Sequence, residues 1–552
     1  MKKLISNYFF ISFKRIIFAF SLLPFFFFES KAAELIREFS GKRSITTSEF
    51  EVKAPWILDW RINSNYRETM GLEISLVDAK TGFLIGLLAA VLILILPETE
   101  GLPIEAQRAA AVFVWMAIWW ATEAVHIAIT ALIPLVFFPL LGVASIEETS
   151  APYANKNVYL FLGGFLLSIA IQKCNLHKRI ALNVLDLTGT AGRSIIAGFM
   201  VSSCLLSMWI MNTSTTVMLL PIGLAIISVV KESGKNLSDS EKVNFQVALL
   251  LGIAYAANIG GIATLIGTAP NMTLNGFMEE QYNVSISFVD WMKVGVPISL
   301  TLLPLAWFTL TRMSFPVSFQ SSKKTQDIIT NMKSELGDMK TSEMRVLIIF
   351  LMTATLWITR DMINDIPGLE GLSDPGIAML CGLMLFLMPS KSTNQNLLEW
   401  KDAQEGVPWG VLLLFGGGLS LAAAAQSTGL SLWIGNMMPL GLSMALLVLM
   451  FTALIIFLTE LTSNLATTAT FLPIVAIIAA QFGFDPLILT ASVAIAASCA
   501  FMLPVATPPN AIVFGSELIK VPQMVRAGIV INLIAIVVVT LAVLYLVPLF
   551  LL

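Results

Sequence analysis

The sequence predicts an all-α polytopic membrane protein with about 11 transmembrane helices, two re-entrant hairpins and an inverted repeat of five helices in each half. Hydrophobic residues make up 57% of the chain and charged residues 12%. Together with a mean hydropathy of +0.82, these values are far from those of a soluble domain. Long apolar stretches recur along the chain, and a polar motif occurs twice inside them.

The repeated motif places polar side chains in apolar surroundings. MNTSTTVMLLPI begins at Met211 and SNLATTATFLPI begins at Ser463, and an ungapped alignment pairs Asn212 with Asn464. In hydrocarbon such groups must be satisfied by protein, by water or by a ligand. Polar breaks at matching positions of two half-chains are typical of a transporter's binding site.

Eleven apolar segments are long enough to span the membrane; they are 81–97, 109–125, 127–143, 157–173, 245–278, 291–311, 345–359, 376–389, 409–426, 487–516 and 527–552. Two further stretches, 194–230 and 440–482, carry the motif near their middle. Each of their apolar arms is about half a membrane long, so we predict re-entrant hairpins with the motif at the tip.

These segments divide the chain into five regions. Residues 1–80 form a polar N-terminal extension with a signal-like run at 16–28, although an alternative is that the true start is Met70. Residues 81–104 contain the first transmembrane helix. The first repeat spans 105–314, with its hairpin at 194–230. A cytoplasmic linker covers 315–344, and the second repeat spans 345–552, with its hairpin at 440–482.

The distribution of charge predicts the orientation in the membrane. If Lys80 is cytoplasmic, the basic loops fall on the same side and the acidic connections 98–105, 279–290 and 361–374 fall opposite. We therefore expect a multi-pass protein of the cell (inner) membrane, with the segment before residue 81 in the cytoplasm and the C-terminus outside. Each half contains an odd number of crossings, so the two halves have opposite orientations.

Two proline motifs complete the candidate site. GTAPN begins at Gly267 and ATPPN begins at Ala506, each within an apolar segment. Proline breaks a helix and frees backbone carbonyls in the preceding turn. At mid-membrane, the helix N-termini suit an anion, whereas the freed carbonyls and the Asn and Thr oxygens suit Na⁺.

Charge compensation then favours coupling to sodium. Because the four motif-bearing segments contain no cationic side chain, a bound carboxylate is held by neutral donors. Importing a dianion against 100 mV costs about 4.6 kcal/mol. Two Na⁺ cancel this cost and a third drives uptake, so we expect a coupling ratio above two for a dianion.

Other classes of protein fit less well. An enzyme would need a nucleophile–base pair or metal ligands, but His126 and His177 are the only histidines and both are remote from the repeated motifs. The sequence lacks a nucleotide-binding GxxxxGK[ST] loop and has no basic stretch for nucleic acid. We therefore expect no enzyme activity and no cofactor apart from Na⁺ as the coupling ion. An anion channel remains open, although two opposed hairpins fit alternating access better.

The motifs MWIMNTSTTVMLLPI, TLIGTAPN, LTELTSNLATTATFLPI and VATPPNA resemble those of the divalent anion/sodium symporter (DASS) family, and the resemblance extends over about 80–552. It implies sodium-coupled uptake of di- or tricarboxylates such as succinate, malate or fumarate. It also implies a homodimer with an elevator-like mechanism in the lipid bilayer. A sodium-independent anion exchanger and a sulfate transporter are the alternatives within this fold.

The resemblance also implies residue roles. Substrate would be contacted by Asn212, Thr213, Asn464, Thr507 and Pro508. One Na⁺ would be surrounded by Ser207, Met211, Asn212 and Gly267, and the other by Thr459, Thr462, Asn464 and Ala506.

Two residues depart from the family's motif, because Met211 replaces a serine and Leu465 replaces a threonine. The loss of a hydroxyl at Met211 is tolerable if that position binds sodium through its carbonyl. Glu123 and Glu460 are carboxylates within apolar segments, where an ionisable group is usually functional. We expect Glu460 either to shape the sodium region or to be structural, and Glu123 to be structural.

Overall fold

The computed structural model describes residues 79–97, 101–187, 189, 191–233, 237–319, 323–391, 395–435 and 442–552. These residues form helices and no strand, which confirms the all-α prediction for the described part of the chain. The signal-like run at 16–28 lies outside the described residues.

The first half of the described chain contains α1 (Ala79–Ile95), α2 (Ile104–Thr122), α3 (Ile127–Thr130), α4 (Ile133–Leu140), α5 (Ile146–Ser150), α6 (Lys156–Lys173), α7 (Leu176–Asp186), α8 (Gly192–Ser207), α9 (Asn212–Ser233), α10 (Asp239–Ile262), α11 (Ala269–Tyr282) and α12 (Phe288–Phe308). A 3₁₀ turn, Ala151–Ala154, precedes α6, and a π turn, Thr309–Ser314, ends α12.

The second half contains α13 (Lys323–Glu335), α14 (Thr341–Asn364), α15 (Asp374–Leu387), α16 (Trp400–Gly406), α17 (Trp409–Ser427), α18 (Leu430–Gly435), α19 (Met444–Thr459), α20 (Asn464–Gln481), α21 (Pro486–Ala497), α22 (Pro508–Phe514) and α23 (Val521–Phe550). Helices α17 to α23 repeat the order of α6 to α12, including both the interrupted hairpin and the broken helix.

Local sequence explains where these elements start. Ser238 and Glu241 form a capping box at the start of α10, and the Ser443 hydroxyl caps α19, so N–H groups that lack helical partners are satisfied. Pro270 in α11 and Pro508 in α22 occupy the first helical turn, where a missing N–H costs nothing.

Eight of the described helices are long and apolar enough to cross a membrane, and six more apolar helices are shorter. This confirms a polytopic membrane protein, while the count of eleven spans stays a prediction. The hairpin arms are longer than half a membrane: α8 and α19 have 16 residues each, or about 24 Å at 1.5 Å per residue. The second arms continue through Pro221 and Pro473, which lie inside α9 and α20.

The two halves pack reciprocally. Helix α9 of the first half contacts α22 of the second, and α20 of the second half contacts α11 of the first. Likewise, α10 contacts α22 and α21 contacts α11. Such exchanged contacts are those of a two-fold relation. The broken helices of both halves therefore meet in the interior of the protein.

The helices that precede the breaks form this interior. Every residue of α10 from Phe245 to Ile262 is buried, as is every residue of α21 from Leu487 to Ala497. Helices buried on all sides are positioned by their neighbours around the full circumference. Both breaks are thus held in place by rigid surroundings.

Candidate functional site

The two hairpin tips have the same local geometry. Ser207 donates its hydroxyl to the side-chain oxygen of Asn212 at 2.5 Å, and Thr459 donates to the side-chain oxygen of Asn464 at 2.7 Å. Both asparagines are half-buried. Their oxygens are therefore fixed against the hairpin, which leaves the amide N–H groups to donate elsewhere.

The backbone of each tip also matches. The Thr215 N–H donates to the carbonyl of Met211, and the Thr467 N–H donates to the carbonyl of Ser463. One turn into each helix, the hydroxyls of Thr216 and Thr468 donate back to the asparagine carbonyls at 2.9 and 2.8 Å. The repeated sequence thus predicts the repeated geometry.

The first break lies directly against its tip. A Cβ built on Gly261 would be 2.8 Å from Asn212 Oδ1 and 3.1 Å from the Gly267 carbonyl oxygen. In addition, Thr264 donates its hydroxyl to the Met208 carbonyl at 2.6 Å. Ser207, Met211, Asn212 and Gly267, predicted as one sodium site, are therefore neighbours in the structure.

The second break is joined to its tip by a carboxylate. Glu460 is fully buried and accepts hydrogen bonds from the backbone N–H groups of Phe501, Met502 and Leu503 at 2.7–3.0 Å. Asn532 of α23 donates to the same carboxylate at 2.7 Å. Four donors replace the water that a buried charge has lost, so Glu460 fixes the shape of the break that leads to Ala506.

A second pair of asparagines supports the breaks from within. The amide of Asn271 donates to the carbonyls of Gly261, Ile262 and Thr264. The amide of Asn510 donates to the carbonyls of Ala500 and Leu503. These bonds satisfy carbonyls that the interrupted helices leave without partners. Asn271 and Asn510 therefore stabilise the two breaks with the same kind of hydrogen bond.

In the second predicted sodium site, only some of the four residues contact one another directly. Thr459 binds Asn464, and it also donates to the Ala497 carbonyl at 3.1 Å. Thr462 is paired with the Thr467 hydroxyl at 2.6 Å. Ala506 lies in the break, three residues after the segment held by Glu460, without a hydrogen bond to Asn464 in the described chain.

The predicted substrate contacts come from both halves. Thr507 and the exposed Pro508 begin α22, which packs against α9, the helix that carries Asn212 and Thr213. Asn258, one turn before Gly261, donates to the Thr507 hydroxyl at 3.0 Å. No hydrogen bond among the described residues joins Asn212 to Asn464 directly.

Asn258 and Asn532 contribute to the site but could not be identified from the repeated motifs. Both are amides with apolar neighbours on either side in long helices, and both are buried. An isolated polar residue in such a helix is a signal of a buried partner, although the partner itself cannot be identified from one sequence.

Glu123 and His126 both lie at helix ends. Glu123 ends α2 in the left-handed region at φ 46°, and His126 caps α3 by accepting a hydrogen bond from the Ala128 N–H. Leu465 is buried in an apolar cluster with Ala466 and Ala469, so the side chain that replaces the motif's threonine packs against apolar neighbours.

The arrangement provides two kinds of neutral ligand. Carbonyl, hydroxyl and amide oxygens line each tip and break, and such oxygens are hard ligands suited to alkali and alkaline-earth cations. The N–H groups at the starts of α9 and α20 favour an anion, whereas α22 begins with two prolines, which have no N–H. Broken helices from two repeats meeting in this way define a secondary transporter of the membrane.

The chain belongs to the sodium:sulfate symporter family, because the family described as "Sodium:sulfate symporter transmembrane region" matches residues 78–552. The predicted family is thereby confirmed. The protein is a secondary active, sodium-coupled transporter and is not an enzyme.

Two relatives illustrate the similarity. The sodium-dependent dicarboxylate transporter SdcS of Staphylococcus saprophyticus is 41% identical over 478 residues, which is 86% of this chain and 92% of that protein. SdcS of Staphylococcus aureus strain bovine RF122 is 40% identical over 475 residues, or 85% of this chain and 91% of that protein.

A solved structure has the same fold. MtrF of Neisseria gonorrhoeae, described as illuminating a class of antimetabolite efflux pumps, aligns with a TM-score of 0.56 and 12% identity, covering 86% of this chain and 96% of that chain. At this identity the likeness concerns the fold alone.

Proposed function

We propose that this protein takes up di- or tricarboxylates of the succinate, malate and fumarate type together with Na⁺. The observation that carries the proposal is the 41% identity to a sodium-dependent dicarboxylate transporter over 92% of that protein's length. The matching geometry of the two hairpin tips supports it, because each tip combines oxygen ligands for a cation with N–H donors for an anion.

In this proposal the two asparagines serve both ions. The Oδ1 atoms of Asn212 and Asn464 face the tips, together with Ser207, Met211 and Gly267 in one sodium site and Thr459, Thr462 and Ala506 in the other. Their amide N–H groups, with Thr213, Thr507 and Pro508, contact the substrate carboxylates. The close approach of Asn212 to Gly261 and Gly267 supports this assignment for the first site.

Bound cations make the anion tolerable at these neutral ligands. A dianion in a site without Lys or Arg is held by dipoles alone, so two Na⁺ beside it remove most of the electrostatic cost. A third Na⁺ makes uptake electrogenic, driven by about 2.3 kcal/mol per charge at 100 mV. Transport is therefore expected to carry net positive charge inward.

The proposal extends to the assembly and the movement. The protein acts as a homodimer in the cell (inner) membrane, with the segment before residue 81 in the cytoplasm and the C-terminus outside. The hairpins and the broken helices move together as a transport part, like an elevator, past the remaining helices, which form a scaffold. The reciprocal packing of α9 with α22 and of α20 with α11 supports a common moving unit.

Uptake into proteoliposomes tests this function. Labelled succinate, citrate and sulfate are supplied with an inward Na⁺ gradient, or with choline replacing Na⁺, at a membrane potential set with K⁺ and valinomycin. We expect saturable, Na⁺-dependent succinate uptake that increases when the interior is negative. Uptake of sulfate alone, or succinate exchange that persists in choline, would replace the proposal with one of the two alternatives, and linear flux would indicate a channel.

A further inference from the structure

Both lone pairs of the Thr507 hydroxyl accept hydrogen bonds. A threonine hydroxyl has one hydrogen to donate and two lone pairs that accept. The Asn510 N–H donates to the oxygen at 3.3 Å, as an N-cap requires, and Asn258 Nδ2 donates to it at 3.0 Å. With both lone pairs engaged, the O–H hydrogen remains, and it has no acceptor among the described residues.

The second donor comes from the other half of the chain. Asn258 lies on α10, is 1% exposed, and also places its amide 3.4 Å from the Ala500 carbonyl. The alignment of GTAPN with ATPPN pairs Asn258 with Ala497, whose side chain has no donor. Correspondingly, Thr268, the partner of Thr507, makes no side-chain cap bond. This arrangement therefore exists at one break and not at its mirror.

We propose that Asn258 is a positioning residue for anion binding, which fixes the Thr507 hydroxyl so that it donates its hydrogen to the substrate carboxylate. A hydroxyl that rotates freely presents lone pairs to an anion as readily as its hydrogen, and that arrangement is repulsive. Because N–H donors occupy both lone pairs, the hydroxyl cannot adopt this repulsive orientation when the substrate arrives. A preoriented donor loses less free energy on binding than one that must reorient.

The inference rests on the proposed function in one respect, since it takes Thr507 as a substrate contact. It adds a specific direction of hydrogen bonding and a residue outside the predicted site. It also explains a polar side chain in the buried part of α10, because a buried amide without a partner would destabilise the protein.

Kinetics of Asn258 variants test the proposal. In proteoliposomes, Asn258→Ala and Asn258→Leu are each expected to raise the KM for succinate about tenfold. The Na⁺ concentration at half-maximal uptake and the maximal rate should change less than about twofold. Leucine has the branched shape of asparagine without its polar atoms, so a wild-type KM in Asn258→Leu would show that packing suffices and would overturn the proposal.

A double-mutant cycle identifies the route of the effect. If Asn258 acts through Thr507, then Asn258→Ala adds nothing to the KM of Thr507→Ala, whereas independent effects would multiply. A multiplied KM in the double variant contradicts the inference, and a KM equal to that of Thr507→Ala supports it.

Gln246 provides a matched control. It lies on the same helix, is buried, and also donates across the halves, to the Leu518 carbonyl at 2.6 Å. Gln246→Ala should leave the KM for succinate unchanged, and an equal rise would assign the effect to lost stability. Wild-type uptake is measured first. Absence of succinate transport would overturn the proposed function, and the same variants would then be compared on whichever of citrate or sulfate the wild type carries.

Discussion

The two hairpin tips are equivalent in sequence, but they are attached to their breaks by different chemistry. In the first half a neutral hydroxyl of Thr264 binds the Met208 carbonyl. In the second half the residue aligned with Met208 is Glu460, and its carboxylate binds three backbone N–H groups and Asn532. One attachment is a single hydroxyl bond, whereas the other is a buried carboxyl group that accepts from four donors.

This difference follows from the lengths of the breaks. Helix α10 ends at Ile262 and α11 begins at Ala269, whereas α21 ends at Ala497 and α22 begins only at Pro508. The longer break leaves more backbone N–H groups without helical partners, and a carboxylate with two oxygens satisfies several of them together. Mirror-related sites therefore need not have equal stability or equal affinity for a cation.

The largest effect on uptake is expected at the two asparagines of the hairpin tips, where both halves have the same geometry. Asn212→Ala and Asn464→Ala each remove an oxygen and a donor at a tip, so each should reduce Na⁺-dependent uptake by about a hundredfold or more. Both variants should still elute as folded protein in size-exclusion chromatography. Comparable uptake by either variant and the wild type would remove that asparagine from the site.

Variants of Glu460 test how the carboxyl group stabilises the second break. Glu460→Ala leaves four buried donors without an acceptor, so we expect a destabilisation of about 3–5 kcal/mol and loss of uptake. Glu460→Gln keeps one acceptor oxygen but turns an NH₂ group toward the break, and its unfolding midpoint should lie between those of alanine and wild type. Thermal unfolding in detergent measures both, and a wild-type midpoint in Glu460→Ala would show that the network does not stabilise the second break.

Loss of the Thr264 hydrogen bond at the first break should destabilise the protein less than loss of Glu460. Thr264→Val keeps the shape of the side chain and removes one hydrogen bond, so a loss of about 1 kcal/mol is expected. The same unfolding assay applies, with Glu460→Ala beside it. If Thr264→Val proves the more destabilising of the two, the contrast between the halves is wrong.

The smallest effect concerns Met211. Its carbonyl accepts the Thr215 N–H bond, as the Ser463 carbonyl accepts that of Thr467, so the two backbones are alike whatever the side chain. Met211→Ser should therefore change the Na⁺ concentration at half-maximal uptake by less than about threefold. A tenfold increase in apparent Na⁺ affinity would show that a side-chain hydroxyl at this position binds the cation.

Local features of the site could be predicted from the sequence. The pairing of Asn212 with Asn464 and the prolines of GTAPN and ATPPN led to tips and breaks, and the structure places Ser207 and Thr459 on those asparagines. These contacts join residues five positions apart. Short-range geometry of this kind repeats whenever the sequence repeats.

Long-range contacts could not be predicted in this way. Asn258 and Thr507 are 249 positions apart, and Glu460 and Asn532 are 72 apart. Which amide reaches which hydroxyl depends on how buried helices pack, and apolar helices buried on every side have no periodic pattern that identifies a neighbour. The first hairpin was predicted at nearly its actual extent, because 194–230 corresponds to α8 and α9 at Gly192–Ser207 and Asn212–Ser233. At about 1.5 Å per residue, however, arms of this length exceed half a membrane.

The close contact between Gly261 and Gly267 restricts which residues the first break can carry. A Cβ on Gly267 would lie 2.4 Å from the Gly261 carbonyl oxygen, yet the aligned residues of the second half, Ala500 and Ala506, both carry a Cβ. The turn of the first half is tight because both positions lack side chains, whereas the break of the second half is longer and is braced by the Glu460 carboxylate. A protein built from two copies of one half would therefore have either two tight glycine turns or two carboxylate-braced breaks, so the two halves are not interchangeable.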